Sequence, residues 1–159
     1  MITNDVLRSI RYMLDLGDQR VAEIIQLADP AFELGKADVQ AFLRREDDPE
    51  YVDCSDAVLA RFLDGLVVYC RGRDDSRPPR PPETRVTNNV VLKKLRVAFE
   101  LKDVDMHAVF AAAGWPISKP ELTALFRQPG HPNYRPCGDQ LLRNFLKGLT
   151  LRVRGSCGF

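Results

Sequence analysis

Residues 42–72, FLRREDDPEYVDCSDAVLARFLDGLVVYCRG, align without a gap on residues 125–155, LFRQPGHPNYRPCGDQLLRNFLKGLTLRVRG. At this offset of 83, Arg44, Pro49, Tyr51, Cys54, Asp56, Leu59, Phe62, Leu63, Gly65, Leu66, Arg71 and Gly72 fall on Arg127, Pro132, Tyr134, Cys137, Asp139, Leu142, Phe145, Leu146, Gly148, Leu149, Arg154 and Gly155, and Lys36 falls on Lys119. A match of this density marks an internal duplication, and a duplication governs every later inference about fold.

Nearer the start of each copy the offset becomes 85, placing Asn4, Val6, Leu7, Arg11, Leu16 and Asp18 on Asn89, Val91, Leu92, Arg96, Leu101 and Asp103. Copy one therefore carries two extra residues between Asp18 and Lys36. Insertions are cheapest in turns. The shift is expected in Asp29–Leu34, against the shorter turn Gly114–Ile117, which would be four residues long. Between the copies RDDSRPPRPPETRV, residues 73–86, sets four prolines among charges, a composition that favours an extended linker of about 40 Å reach. The expected organisation is a first module over residues 1–73, a Pro-rich linker over 74–86, a second module over 87–155 and a tail over 156–159.

Each copy reads as four helices, giving an all-α fold of two tandem four-helix modules. Leu7, Ile10 and Leu14, like Leu92, Leu95 and Phe99, recur on one face of a 3.6-residue period, behind Asn4 and Asn89 as expected N-caps. Asp18 and Asp103 are expected to cap a second helix with Val21, Ile24 and Ile25, or Met106, Val109 and Phe110, facing inward. Ser118-Lys119-Pro120-Glu121 is a capping box that opens a third helix, with Leu122, Leu125 and Phe126 inward and Val39, Phe42 and Leu43 as their counterparts. The fourth helix is expected over Ser55–Arg71 and Gly138–Arg154, its buried stripe being Leu59, Phe62, Leu63 and Leu66, repeated as Leu142, Phe145, Leu146 and Leu149.

With 159 residues, 45% of them hydrophobic, the chain can build real cores, and its net charge of +1 gives no global preference for nucleic acid or acidic membranes. No run approaches the ~18 apolar residues of a membrane helix, and the N-terminal stretch lacks the apolar core of a signal peptide, so no membrane partner and a cytoplasmic location are expected. Cys54, Cys70, Cys137 and Cys157 lack paired spacing and are expected as free thiols. Two histidines, His107 and His131, fall short of the three or four convergent ligands of a zinc site, so neither a metal nor a cofactor is expected.

The patterns NDVLRSIRYML (residues 4–14) and NNVVLKKLRVAFELKD (88–103), with the two stretches quoted above, resemble the YehS-like bacterial family, built from two copies of a "domain of unknown function 1456". The resemblance covers nearly the whole chain. It implies a small cytosolic bacterial protein with paired modules, and it brings no activity and no catalytic residues.

Polar positions shared by both copies are the remaining candidates. Arg11 with Asp56, and Arg96 with Asp139, are expected as internal arginine–carboxylate clamps between the first and fourth helices, each costing about 3 to 5 kcal/mol to break if buried. Cys54 and Cys137 precede the fourth helix, where a dipole could activate a thiolate, yet no histidine accompanies them and a buried or capping thiol is the simpler reading. No catalytic residues are identified, and no enzyme is expected. Lys36, Gln40 and Arg44 recur at i, i+4 and i+8 on the third helix, as do Lys119, Thr123 and Arg127. Two functional expectations follow. The first is a DNA-binding regulator with two helix-turn-helix-like units, the basic ends on phosphates and Gln40 or Thr123 reaching a base. The second is a protein-interaction or scaffolding module in which Phe32 and Trp115, in matching turns, dock another protein or a second copy of the chain.

Overall fold

The computed structural model describes residues 3–73, 76 and 81–155. Among them are eight helices and no strand, in two compact units, Met1–Val86 and Thr87–Phe159. The first unit holds α1 (Thr3–Leu14), α2 (Asp18–Ala28), α3 (Lys36–Phe42) and α4 (Asp56–Arg71). The second holds α5 (Asn88–Ala98), α6 (Asp103–Ala112), α7 (Lys119–Leu125) and α8 (Asp139–Gly155). Within each unit the second helix packs along the fourth. Of the predicted extended linker, residues 74, 75 and 77–80 lie outside the described residues.

The helices form where apolar periodicity demands it. Leu7, Ile10, Val21, Ile24, Ile25, Leu59, Phe62, Leu63 and Leu66 are buried in the first core; Leu92, Leu95, Met106, Val109, Phe110, Leu142, Phe145, Leu146 and Leu149 take the same places in the second. Leu14 and Phe99, the outer ends of the first-helix stripes, are half-buried. In the second core, the Phe110 and Phe145 rings meet in a tilted arrangement at 5.3 Å between centroids. Both α1 and α5 end in a left-handed residue, Asp15 at φ 53° and Glu100 at φ 54°, and the following amides of Leu16 and Leu101 close onto the carbonyls of Arg11 and Arg96. This six-to-one closure satisfies carbonyls that a helix end leaves open.

Two expectations about helix ends are corrected and a third is met. Asn4 and Asn89 are the second residues of their helices and do not cap them; the cap of α5 is Thr87, whose Oγ1 accepts from the Val90 amide at 3.3 Å. Asp18 and Asp103 are the first helical residues of α2 and α6, behind Gly17 and Lys102 as N-caps, where their negative charge favours the helix start without closing a cap. The expected capping box of α7 is present, with Ser118 Oγ accepting from the Glu121 amide and Glu121 Oε1 accepting from the Ser118 amide, both at 3.3 Å.

The two extra residues of copy one are shared between a helix and a turn. α2 has 11 residues against 10 in α6, and the connection runs over residues 29–35 against 113–118. The latter is six residues long, not the expected four, which exceeds the three- to four-residue turn of a helix-turn-helix motif. The reason is local. Gly114 adopts φ 77° and the Trp115 amide returns to the Phe110 carbonyl, so the chain leaves α6 through a C-terminal closure before it can start α7.

Candidate nucleic-acid interface

The third helices present two of the three expected stripe positions in each copy. Lys36 and Gln40 are exposed on α3, and Lys119 and Thr123 are exposed on α7. Each helix has only seven residues, so Arg44 and Arg127 lie beyond the helical stretch rather than a further turn along it. The Arg44 guanidinium is held by Asp48 at 3.4 Å and Glu50 at 2.9 Å, which offsets its charge locally. Arg127 is half-buried, its Nη1 3.3 Å from His131 Nε2. The hydroxyl of Thr123 donates to the Lys119 carbonyl at 3.0 Å, so this donor is engaged within the helix.

The predicted arginine clamps have different partners. Arg11 Nη2 lies 3.3 Å from Asp18, and Arg96 Nη2 pairs with Asp103, so in both copies the first helix is tied to the start of the second. Asp56 instead accepts from the Val86 amide at 3.0 Å, and Asp139 accepts from Asn88 Nδ2 at 2.9 Å. With Arg11 42% and Asp103 75% exposed, these pairs sit in high dielectric and fall in the class worth about 1 kcal/mol or less, well below the buried-clamp figure. Arg96 has additional roles, donating from Nε to the Leu101 carbonyl at 3.0 Å and lying over the Phe126 ring at 4.8 Å.

The shared cysteines are buried. Burial pushes both thiols up to about 12, with the Asp56 charge adding to the effect on Cys54 and the Arg135 charge opposing it on Cys137. At neutral pH they are protonated, and each Sγ–H points at the carbonyl of the next residue, Ser55 or Gly138. That protonated form is a poor nucleophile. Cys70 is also free, while Cys157 lies outside the described residues. Among the described residues no cluster of three or more His, Cys, Asp or Glu side chains could hold a metal ion, and no helix is long and apolar enough to cross a membrane.

What the shared polar positions do accomplish is structural. Asn4 donates from Nδ2 to the carbonyls of Phe42 and Val52 at 2.9 and 3.0 Å, and accepts from the Cys54 amide at 2.9 Å. Asn89 repeats all three bonds with Leu125, Arg135 and Cys137 at 2.9, 3.0 and 2.8 Å. A family described as "Protein of unknown function (DUF1456)" matches residues 3–72 and 88–155, each match containing one such asparagine and the backbone it ties together. The chain belongs to this family. It is also 44% identical over 152 residues, 96% of each chain, to the uncharacterized protein YehS of Escherichia coli (strain K12). No solved structure matches it.

The two DUF1456 copies differ most in charge. Met1–Val86 carries twelve Lys and Arg against seventeen Asp and Glu, a net of −5, whereas Thr87–Phe159 carries eleven against five, a net of +6. The near-neutral total conceals this split. It is sharpest in the loop after the third helix, where Arg45–Asp53 holds Glu46, Asp47, Asp48, Glu50 and Asp53, and the matching Gln128–Pro136 holds no carboxylate. In the second copy Arg96, Arg135 and Arg152 pair with Asp103, Glu121 and Asp105. The Arg135 hydrogen bond, helped by Ser118, holds Glu121 below the usual carboxylate range. Lys93, Lys102, Lys119, Arg143 and Lys147 remain exposed.

Proposed function

We propose that this DUF1456 protein binds nucleic acid through its second repeat, with Lys119 and Arg127 on phosphates, and that the first repeat is not an equivalent half-site. The observation that carries this reading is the loop beside the third helix. Phosphate binding is dominated by counterion release at Lys and Arg, and the five carboxylates of this loop in copy one oppose it, while the matching loop of copy two has none. Lys36, Gln40 and Arg44 therefore serve as a surface of the first repeat, Arg44 being engaged by Asp48 and Glu50.

The test is retention of the full chain on a DNA column as salt rises. Replacing Lys119 and Arg127 by alanine is expected to lower the salt slope by about 0.9 for each phosphate no longer neutralised, while the Lys36→Ala, Arg44→Ala pair leaves it unchanged. An equal decrease from both pairs restores the two-half-site reading, and no retention at low salt removes nucleic acid altogether.

A second reading, protein docking, has one observation in its favour. The outer side of α6 exposes Val104, Ala108, Ala111 and Ala112, where α2 has Gln19, Glu23 and Gln26 exposed and Leu27 half-buried. The fold thus does not require an apolar surface there, and an exposed apolar helix face is a feature of interfaces. Salt-insensitive, concentration-dependent self-association that Val104→Glu abolishes is the expected behaviour under this second reading.

A further inference from the structure

The aromatic residue of the second-to-third-helix turn is treated differently in the two repeats. In the first, Phe32 is half-buried under the Arg61 guanidinium, 4.4 Å from its ring centre, and Arg61 is anchored to Asp29 at 3.0 Å. In the second, Trp115 stands at the position of Phe32 and Asn144 at the position of Arg61, a side chain too short to provide the same cover. Trp115 is 52% exposed. Its backbone is nevertheless fixed, because the Trp115 amide bonds to the Phe110 carbonyl at 3.0 Å and His107 Nδ1 holds the Ile117 carbonyl at 3.2 Å.

Resting on the nucleic-acid reading above, we infer that Trp115 is a stacking platform for an unpaired base, and that the ligand of the second repeat is single-stranded nucleic acid. A large exposed ring on a fixed turn loses little entropy on binding, and every base has a π-face to lay on it. Lys119 follows four residues later, so its backbone lies within about 14 Å of Trp115 and its ammonium reaches the phosphates flanking a stacked base. Duplex reading by α7 is disfavoured by the same geometry. Its seven residues make two turns, it follows a six-residue connection, and the donor of its central Thr123 is already used. A base already out of a stack needs neither groove insertion nor flipping.

Trp115 is the chain's sole tryptophan, so its emission reports on this ring alone. The full chain is titrated at low salt with a labelled mixed-sequence single strand of about 20 nucleotides and with the corresponding duplex, following oligonucleotide anisotropy and Trp115 emission. The expected results are tighter binding of the single strand, quenching of the emission on binding, and a roughly 5- to 100-fold weaker single-strand affinity in Trp115→Ala, largely restored in Trp115→Phe. Duplex binding should be unaffected by either substitution. Salt-dependent binding with unchanged emission and an unaffected Trp115→Ala overturns the stacking role while leaving the nucleic-acid reading intact. Failure of both oligonucleotides to bind removes the nucleic-acid reading itself. An emission that shifts with protein concentration alone assigns the ring to an interface between copies of the chain and also overturns the inference.

Discussion

A β-carbon placed on Gly65 would fall 1.8 Å from the carbonyl oxygen of Ile24, and one on Gly148 would fall 2.0 Å from that of Val109. In each repeat, therefore, the fourth helix crosses the second with their backbones touching, and glycine is there for space rather than for conformation. An ordinary mid-helix Gly→Ala change gains about 0.5 to 1 kcal/mol. Here the obstacle is main chain that cannot rotate away, so Gly65→Ala and Gly148→Ala should each destabilise by about 2 kcal/mol or more, through separation of the helices. Urea unfolding of the two variants checks this, and a stabilised Gly65→Ala would show that the crossing is looser than described.

Asn4 and Asn89 make the same three bonds, but Asn4 is 1% exposed while Asn89 is half-buried. Removing a side chain that satisfies buried backbone leaves the desolvation penalty of each orphaned group, about 1 to 3 kcal/mol apiece, unless water can enter. Asn4→Ala should cost about 3 to 4 kcal/mol and Asn89→Ala about 2. Asn4→Asp should be no better than alanine, because a carboxylate can accept from the Cys54 amide but cannot donate to the carbonyls of Phe42 and Val52. Thermal unfolding of the three variants gives the order, and equal destabilisation at the two positions would refute it.

Burial raises the thiols of Cys54 and Cys137 from 9.0 to about 12. Between those values the folded chain keeps a proton that the unfolded chain releases. Stability is thus fully present below about pH 8.5 and falls as pH rises toward 12, each thiol adding a slope of up to about 1.4 kcal/mol per unit. Denaturant midpoints measured from pH 7.5 to 10.5 should decline, and Cys54→Ala with Cys137→Ala should flatten the decline. A flat profile in the unsubstituted chain would mean that the thiols are not shielded from water.

The duplication and the helical faces were legible because apolar residues at 3.6-residue spacing admit few other structures, and Leu59, Phe62, Leu63 and Leu66 match their second set in both identity and burial. Partners of polar residues were less so. Asn at a helix start has the same appearance in sequence whether it caps the helix or turns inward, and only the return of residues 42–54 past α1 decides for Asn4. Arg11 meets Asp18 rather than Asp56 because the left-handed turn at Asp15 folds α2 back beside the end of α1, a local geometry that spacing does not reveal. The charge split between the repeats was readable from composition, but the total of +1 hides it until the count is made copy by copy.

If the carboxylates after α3 are what disable the first repeat, neutralising them should give that repeat the behaviour proposed for the second. Glu46→Gln, Asp47→Asn, Asp48→Asn and Glu50→Gln together remove four negative charges, taking the first unit from −5 to −1, and release Arg44 from both of its partners. The cost in stability should be small, since the Arg44 pairs are solvent-exposed ion pairs of the kind worth about 1 kcal/mol or less. Retention on a DNA column should rise, and the dependence of log affinity on log salt should steepen by about 0.9 for each phosphate that Arg44 or Lys36 now reaches. Adding Arg44→Ala to the neutralised chain should reverse part of that gain, which separates a newly engaged phosphate from a mere relief of repulsion. A neutralised chain that unfolds as before and elutes at the same salt would show that the acidic loop does not govern binding, and the difference between the repeats would have to be sought in Trp115 instead.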